Sequence, residues 1–148
     1  MQRRYTTIGD QAVGADQSVL SILSATTIRP SVYFLVIGSA ATPADQATKF
    51  ALGRITAGGT STPFTPIAHD PADPASLATC GYNHTAEPTY TASAWLLWAS
   101  LNQQNTFKWE TLPQYGLKIA ASATAGIGLK SSTATGTAVH EATIYSAE

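Results

Sequence analysis

Alternation with a period of two runs through most of this chain, and it constrains the fold more than any other feature. TFKWETL sets Phe107, Trp109 and Thr111 on one face and Thr106, Lys108 and Glu110 on the other, the pattern of a half-buried antiparallel strand. GLKIAAS repeats it with Leu117, Ile119 and Ala121 facing in, and SVLSILS gives a weaker version through Leu20 and Ile22. SVYFLVIGS is apolar on both faces, which predicts a central strand covered twice. In WLLWAS, strict alternation sends Trp95 and Trp98 to opposite faces.

Turn residues punctuate the strands. Gly14-Ala15-Asp16, Arg29-Pro30, Thr42-Pro43, Gly58-Gly59, Glu87-Pro88, Leu112-Pro113 and Gly126 recur at the spacing of a sandwich or barrel. The pattern predicts strands at 5–9, 18–25, 31–39, 48–57, 77–84, 89–99, 105–111 and 116–122, with 139–146 closing. PADQATKFALG offers a helix opened by Pro43 and ended by Gly53, but Phe50, Leu52 and Ile55 also suit a strand with a bulge. The expected fold is all-β: one domain over 1–148, an antiparallel β-sandwich of jelly-roll or Greek-key type with about eight strands in two sheets. Residues 1–4 are expected as an N-terminal arm and 60–76 as a proline-rich loop.

Composition narrows the function. Charged residues are 11% of the 148, against about 25% in ordinary domains, while 44% are hydrophobic. A surface so poor in charge suits contact with neighbouring subunits. A formal net charge of −1 projects no long-range field, so no nucleic-acid or membrane partner is expected. The start MQRRY lacks the apolar stretch of a secretory signal, and Val32–Ile37 is too short to span a bilayer, so assembly in a cytoplasm is expected. The single cysteine, Cys80, forms no internal disulfide and reads as a small buried apolar residue.

The search for chemistry yields no enzyme, cofactor or metal. His69, Asp70 and Asp73 carry metal-capable atoms, but a proline-rich loop does not bring them to one face as a helix would. His84 and His140 lie in strand-like segments and read as interface or core-edge residues. No serine sits in G-x-S-x-G, and ITAGGTS reads as a hairpin turn, lacking a lysine to cradle phosphate. Nine acidic residues supply no recognisable glycosidase pair. Tyr82, Tyr90, Trp95, Trp98, Trp109 and Tyr115 suit a sugar platform, though aromatics at alternate strand positions more often pack in a core or subunit interface.

The stretch PFTPIAHDPADPAS reads as a stiff contact loop. Pro63, Pro66, Pro71 and Pro74 fix φ and remove amide donors, and Phe64, Thr65, His69, Asp70 and Asp73 supply side chains for a neighbouring protein. Arg3 and Arg4 are possible arm contacts.

Residues 50–76, FALGRITAGGTSTPFTPIAHDPADPAS, resemble a segment of small β-rich proteins encoded beside the head and tail genes of tailed bacteriophages and prophages. Leu52, Arg54 and Thr56 match its strand, Gly58, Gly59 and Thr60 its turn, Thr65 and Pro66 its Thr-Pro step, and Asp70, Pro71, Asp73 and Pro74 its Asp-Pro loop. The resemblance implies a non-enzymatic virion protein, a capsid decoration (cement) or related head or tail surface protein, which binds copies of itself or the major capsid protein. The alternative is a carbohydrate-binding β-sandwich module for host or glycan recognition.

Overall fold

The computed structural model describes residues 2–12, 16–132 and 138–148. All its strand pairings are antiparallel, and two sheets pack face to face. In chain order the strands are β1 (Arg4–Ala12), β2 (Gln17–Leu23), β3 (Ser31–Ala41), β4 (Ala47–Ala57), β5 (Thr60–Phe64), β6 (Ile67–Ala68), β7 (Thr79–Ala86), β8 (Thr89–Asn102), β9 (Phe107–Glu110), β10 (Leu117–Lys118), β11 (Gly126–Ser132) and β12 (Val139–Ala147). One sheet runs β10-β3-β12-β1-β6, with β9 also on β3; the other runs β5-β7-β2-β11-β4-β8. The all-β sandwich expected from the sequence is the observed fold. Its described strands number twelve rather than eight, because several are short or bent.

Leu20, Ile22, Phe50, Leu52, Ile127 and Leu129 face Leu35, Ile37, Ala142 and Ile144 across the sheets, all with little or no exposure. β2 is buried along nearly its whole length, on both faces, where the serine spacing suggested one. β3 is central as expected, but it is covered on one face only: Phe34, stacked on Tyr145 at 4.4 Å, and Val36 on the outer face are half-buried.

The strand expected at 48–57 is present as Ala47–Ala57, and residues 43–46 form no helix, since Phe50 and Leu52 belong to the sandwich core. Other expectations are corrected. The segment 116–122 pairs only at Leu117 and Lys118: Ile119 is buried, but Ala120 and Ala121 are small and exposed and hold nothing down. Among the described residues the expected N-terminal arm joins the sheet, for Arg4 already begins β1 and Arg3 exchanges backbone hydrogen bonds with Glu148 at 3.1 and 2.9 Å. Residues 60–76 are not one loop, because Thr60–Phe64 and Ile67–Ala68 are strands. Pro63 is tolerated there because β5 is an edge, bonded only to β7.

Gly58-Gly59 is not a hairpin turn either. β4 and β5 do not pair with each other; the two glycines bend one long strand, with Gly59 at φ 68° and a Cβ there impossibly close to Ala86 O. Likewise β7 runs into β8 through Glu87-Pro88. Since β4 pairs with β8 and β5 with β7, residues 47–64 and 79–102 form one long ribbon. The ribbon bonds β2 through β7 and β11 through β4, and β2 bonds β11, so the sheet curls while β5 and β8 remain its two edges. This curl positions everything described next.

Candidate functional site

The outer face of the curled sheet carries a gathered aromatic group. Along β8 the register to β4 slips, so that Leu52 opposes Leu97 while Gly53 opposes Trp95. The extra residue, Leu96, is a bulge, and it resets the alternation. Trp98 opposes Ala51 and Trp95 opposes Gly53, so the two indoles share a face rather than opposing each other as strict alternation requires. Trp95 stacks on Tyr90 at 5.2 Å and 27°. Gly53 and Gly128 make the space: a Cβ would lie 2.7 Å from the Trp95 ring at the first and 2.6 Å from the Tyr90 hydroxyl at the second.

Trp98 is 59% exposed. Lys49 Nζ sits 3.7 Å from its ring centroid, a cation–π contact, and Lys130 Nζ lies 5.5 Å from the Tyr90 ring and 4.0 Å from Asp16 Oδ1. Between them lies a cleft of about 210 Å³ with Ala51 at its centre and Trp95, Trp98, Lys49 and Lys130 around it. Of the six aromatics considered from sequence, the structure gathers these three. Tyr82 packs edge-on to Phe64 at 6.5 Å, Trp109 packs against the core, and Tyr115 stands 71% exposed on a 3₁₀ turn (Pro113–Tyr115).

Beneath the aromatic group runs a polar chain. Ser18 donates its amide and hydroxyl to the Glu87 carboxylate at 3.1 and 2.6 Å, so Tyr90 donates to Ser18 Oγ at 2.7 Å. His84 Nδ1 lies 3.1 Å from Ser18 O, which only accepts, so Nδ1 carries the proton and Nε2 accepts from Ser21 Oγ at 3.0 Å. A serine donating to a histidine Nε2 is the relation of a nucleophile to its base. Here Ser21 is 3% and His84 5% exposed, and nothing reaches the hydroxyl. Burial also lowers the His84 pKa, and burial raises that of Tyr90. The chain is a structural tie, and it makes His84 a core residue rather than an interface one.

His140 is likewise core: it is fully buried, edge-on to Phe50 at 4.8 Å, with neither ring nitrogen hydrogen-bonded. Cys80 is buried as expected, 3.3 Å from Thr7 Oγ1, its thiol pKa pushed up to about 12 by burial.

The proline-rich segment folds back on its own domain. His69 meets Thr6 Oγ1 at 2.8 Å and the Tyr145 ring edge-on at 4.8 Å; its amide donates to Arg4 O at 2.9 Å. Asp70 caps its own turn by accepting from Ala72 N at 2.9 Å. Tyr5 donates to Pro74 O at 3.0 Å, and Arg3 lies 3.9 Å from the Asp73 carboxylate. Arg4, His69, Asp70 and Asp73 line a shallow cleft, while Pro63, Thr65, Pro71 and Pro74 face outward; Pro66 is buried, and Phe64 packs half-buried on Tyr82. Among the described residues, no group of three His, Cys, Asp or Glu side chains could hold a metal ion, and no helix is long and apolar enough to cross a membrane. Arg54 reaches across the sandwich to donate to Lys118 O at 2.9 Å.

In comparisons with known proteins, no family model, no curated protein and no solved structure matches this chain.

Sequence reasoning missed the cleft for two reasons. The Leu96 bulge is invisible to a period-two reading, and Lys49, Lys130 and Asp16 come from three different strands or turns with no shared spacing.

Proposed function

We propose that this protein is a non-enzymatic structural subunit that assembles with copies of itself through the free edge of β8. The observation that carries the proposal is the chemistry of that edge. Proteins blunt edge strands with charges, prolines or shortness, to keep other chains from pairing with them. The other edges follow this rule: β6 and β10 are two residues long, β5 contains Pro63, and β9 carries the Lys108–Glu110 ion pair at 2.8 Å. β8 is 14 residues long, TYTASAWLLWASLN, with no charge and no proline. Beyond the Leu96 bulge, Leu97–Asn102 pairs with β4 without a break. A second copy of the same strand, antiparallel, satisfies its unpaired backbone groups and brings no like charges together.

The likeness of residues 50–76 to small β-rich proteins encoded beside phage head and tail genes supports placing such a subunit on a virion, as a capsid decoration or related surface protein whose further partner is the major capsid protein. In this chain the motif's Arg54, Gly59 and Asp70 serve internal ties and turns. Multi-angle light scattering across a concentration series tests the first step, and co-sedimentation with empty heads of tailed phages tests the second. A dimer or larger species is expected. A monomer at high concentration that also stays in the supernatant when the heads pellet overturns the proposal.

A further inference from the structure

We infer that the cleft between β4, β8 and β11 is a binding site for a carboxylated sugar, one uronic acid residue free or within a polysaccharide. Three observations converge on that chemistry. The first is the wall: Trp95 and Trp98 stand on one face, and Trp98 is 59% exposed, far more than a core indole. With Lys49 over its ring at 3.7 Å, Trp98 offers its remaining exposed surface to the C–H face of a pyranose.

The second is the charge balance. Lys49 and Lys130 bring two ammonium groups, and Asp16 brings one carboxylate, 4.0 Å from Lys130. One positive charge is left over, and it is on Lys49, which among the described residues has no carboxylate within ion-pair distance. The Trp98 ring holds its Nζ at 3.7 Å, so the ammonium is already positioned when an anion arrives. The third is size. About 210 Å³ is below the range of drug-sized pockets, roughly 300–1,000 Å³, and suits a single ring.

Each simpler occupant leaves part of the site unused. A neutral sugar stacks on the indoles and leaves Lys49 unmatched; inorganic phosphate satisfies Lys49 and leaves the indoles bare. A uronate places its carboxylate at Lys49, its ring against Trp98 and Trp95, and its hydroxyls within reach of Asp16 and Ser132. This inference does not depend on β8 pairing, because it uses the outer face of the sheet and not its edge.

The test is calorimetric titration with glucuronate and galacturonate, as monosaccharides and as short oligosaccharides, against glucose and galactose counterparts. The acidic sugars are expected to bind at least about tenfold tighter than the neutral ones. Lys49→Gln should erase that difference, and Trp98→Ala should abolish binding of both classes of sugar. Binding by oligosaccharides alone assigns the site to a polymer; binding by monosaccharides as well assigns it to the free sugar. No saturable heat with any uronate, equal affinity for acidic and neutral sugars, or an unaffected Lys49→Gln overturns the inference, provided both variants keep the wild-type melting profile. Light scattering on the same solutions reads self-association separately, so a failure here is distinguishable from a failure of the assembly proposal.

Discussion

The carboxylate of Glu87 takes both protons that Ser18 has to give, the amide at 3.1 Å and the hydroxyl at 2.6 Å. These residues are 69 positions apart, and the contact ties the β7–β8 bend to β2. Because the Ser18 proton points at Glu87, its lone pair is free to accept from Tyr90 at 2.7 Å. Ser18→Ala, at a site with no exposure, leaves the mostly buried Tyr90 hydroxyl without its acceptor. The expected loss is about 1–3 kcal/mol by urea denaturation. Adding Tyr90→Phe to that variant should recover part of it, since the orphaned hydroxyl is then gone. No recovery would locate the cost elsewhere.

Gly128 predicts a steric effect in the same place. A methyl group there meets Tyr90 Oη at 2.6 Å and Cζ at 3.0 Å, and Tyr90 is held by both Ser18 and the stacked Trp95. Gly128→Ala should therefore cost about 1–3 kcal/mol, the range for overpacking. It should also raise the exposure of Trp95, read as a red shift of indole emission. A stable variant with unshifted emission would mean Tyr90 moves freely.

The sandwich was legible in the sequence because burial on one face leaves an alternating pattern, as at Phe107 and Trp109, and a central strand leaves an apolar run, as in β3. β11 was not legible. GIGLKSS carries two glycines, which weaken any strand reading, yet they are there because Tyr90 covers Gly128 and Leu23 crowds Gly126. That is a tertiary demand, and nothing local signals it. The candidate site was half legible: Tyr90, Trp95 and Trp98 stood out as a possible platform, but the bulge that brings the indoles to one face, and the lysines beside them, exist only after the sheet curls.

Acid should weaken the fold through His140. Burial with no hydrogen-bond partner lowers its pKa from 6.5 to about 4. The unfolded chain then binds the proton first, so stability falls as pH drops below about 6.5 and levels off near 4, where the folded form also protonates. The full loss is about 3 kcal/mol, because each tenfold difference in proton affinity between the two states is worth about 1.4 kcal/mol. Burial lowers the His84 pKa in the same direction. Urea melts at several pH values between 7.5 and 4 should show the decline, and His140→Gln should flatten most of it. A slope unchanged by His140→Gln would assign the acid sensitivity to other groups.

Replacing residues 66–74 with a Gly-Ser link should lower the melting temperature. From sequence this loop reads as dispensable to the fold, since closing a loop costs little. The structure gives it internal duties: β6 pairs with β1, Tyr5 donates to Pro74 O, and His69 bonds Thr6 and packs on Tyr145. Loss of these contacts should cost at least about 2 kcal/mol, with each kcal/mol worth about 2–4 °C at this chain length. Tyr5→Phe alone should account for about 1 kcal/mol of it. An unchanged melt would return the segment to the role of a removable contact loop.

Ser100→Glu should dissociate the protein without unfolding it. Ser100 is exposed on β8 and opposes Lys49 in its own sheet, so a glutamate there gains a cross-strand partner of opposite charge. Across a two-fold join of two β8 strands, the same substitution places carboxylates from both copies along one seam. Like charges facing each other across paired strands are destabilising, and they act twice in a symmetric interface. Light scattering should show the wild-type oligomer reduced to monomer, with a melting temperature in dilute solution equal to or above that of the parent. Ser100→Gln, similar in shape and uncharged, should leave the oligomer intact. If Ser100→Glu assembles as the parent does, β8 is not the contact. The proposed mode of assembly then fails, whatever other surface the subunit uses.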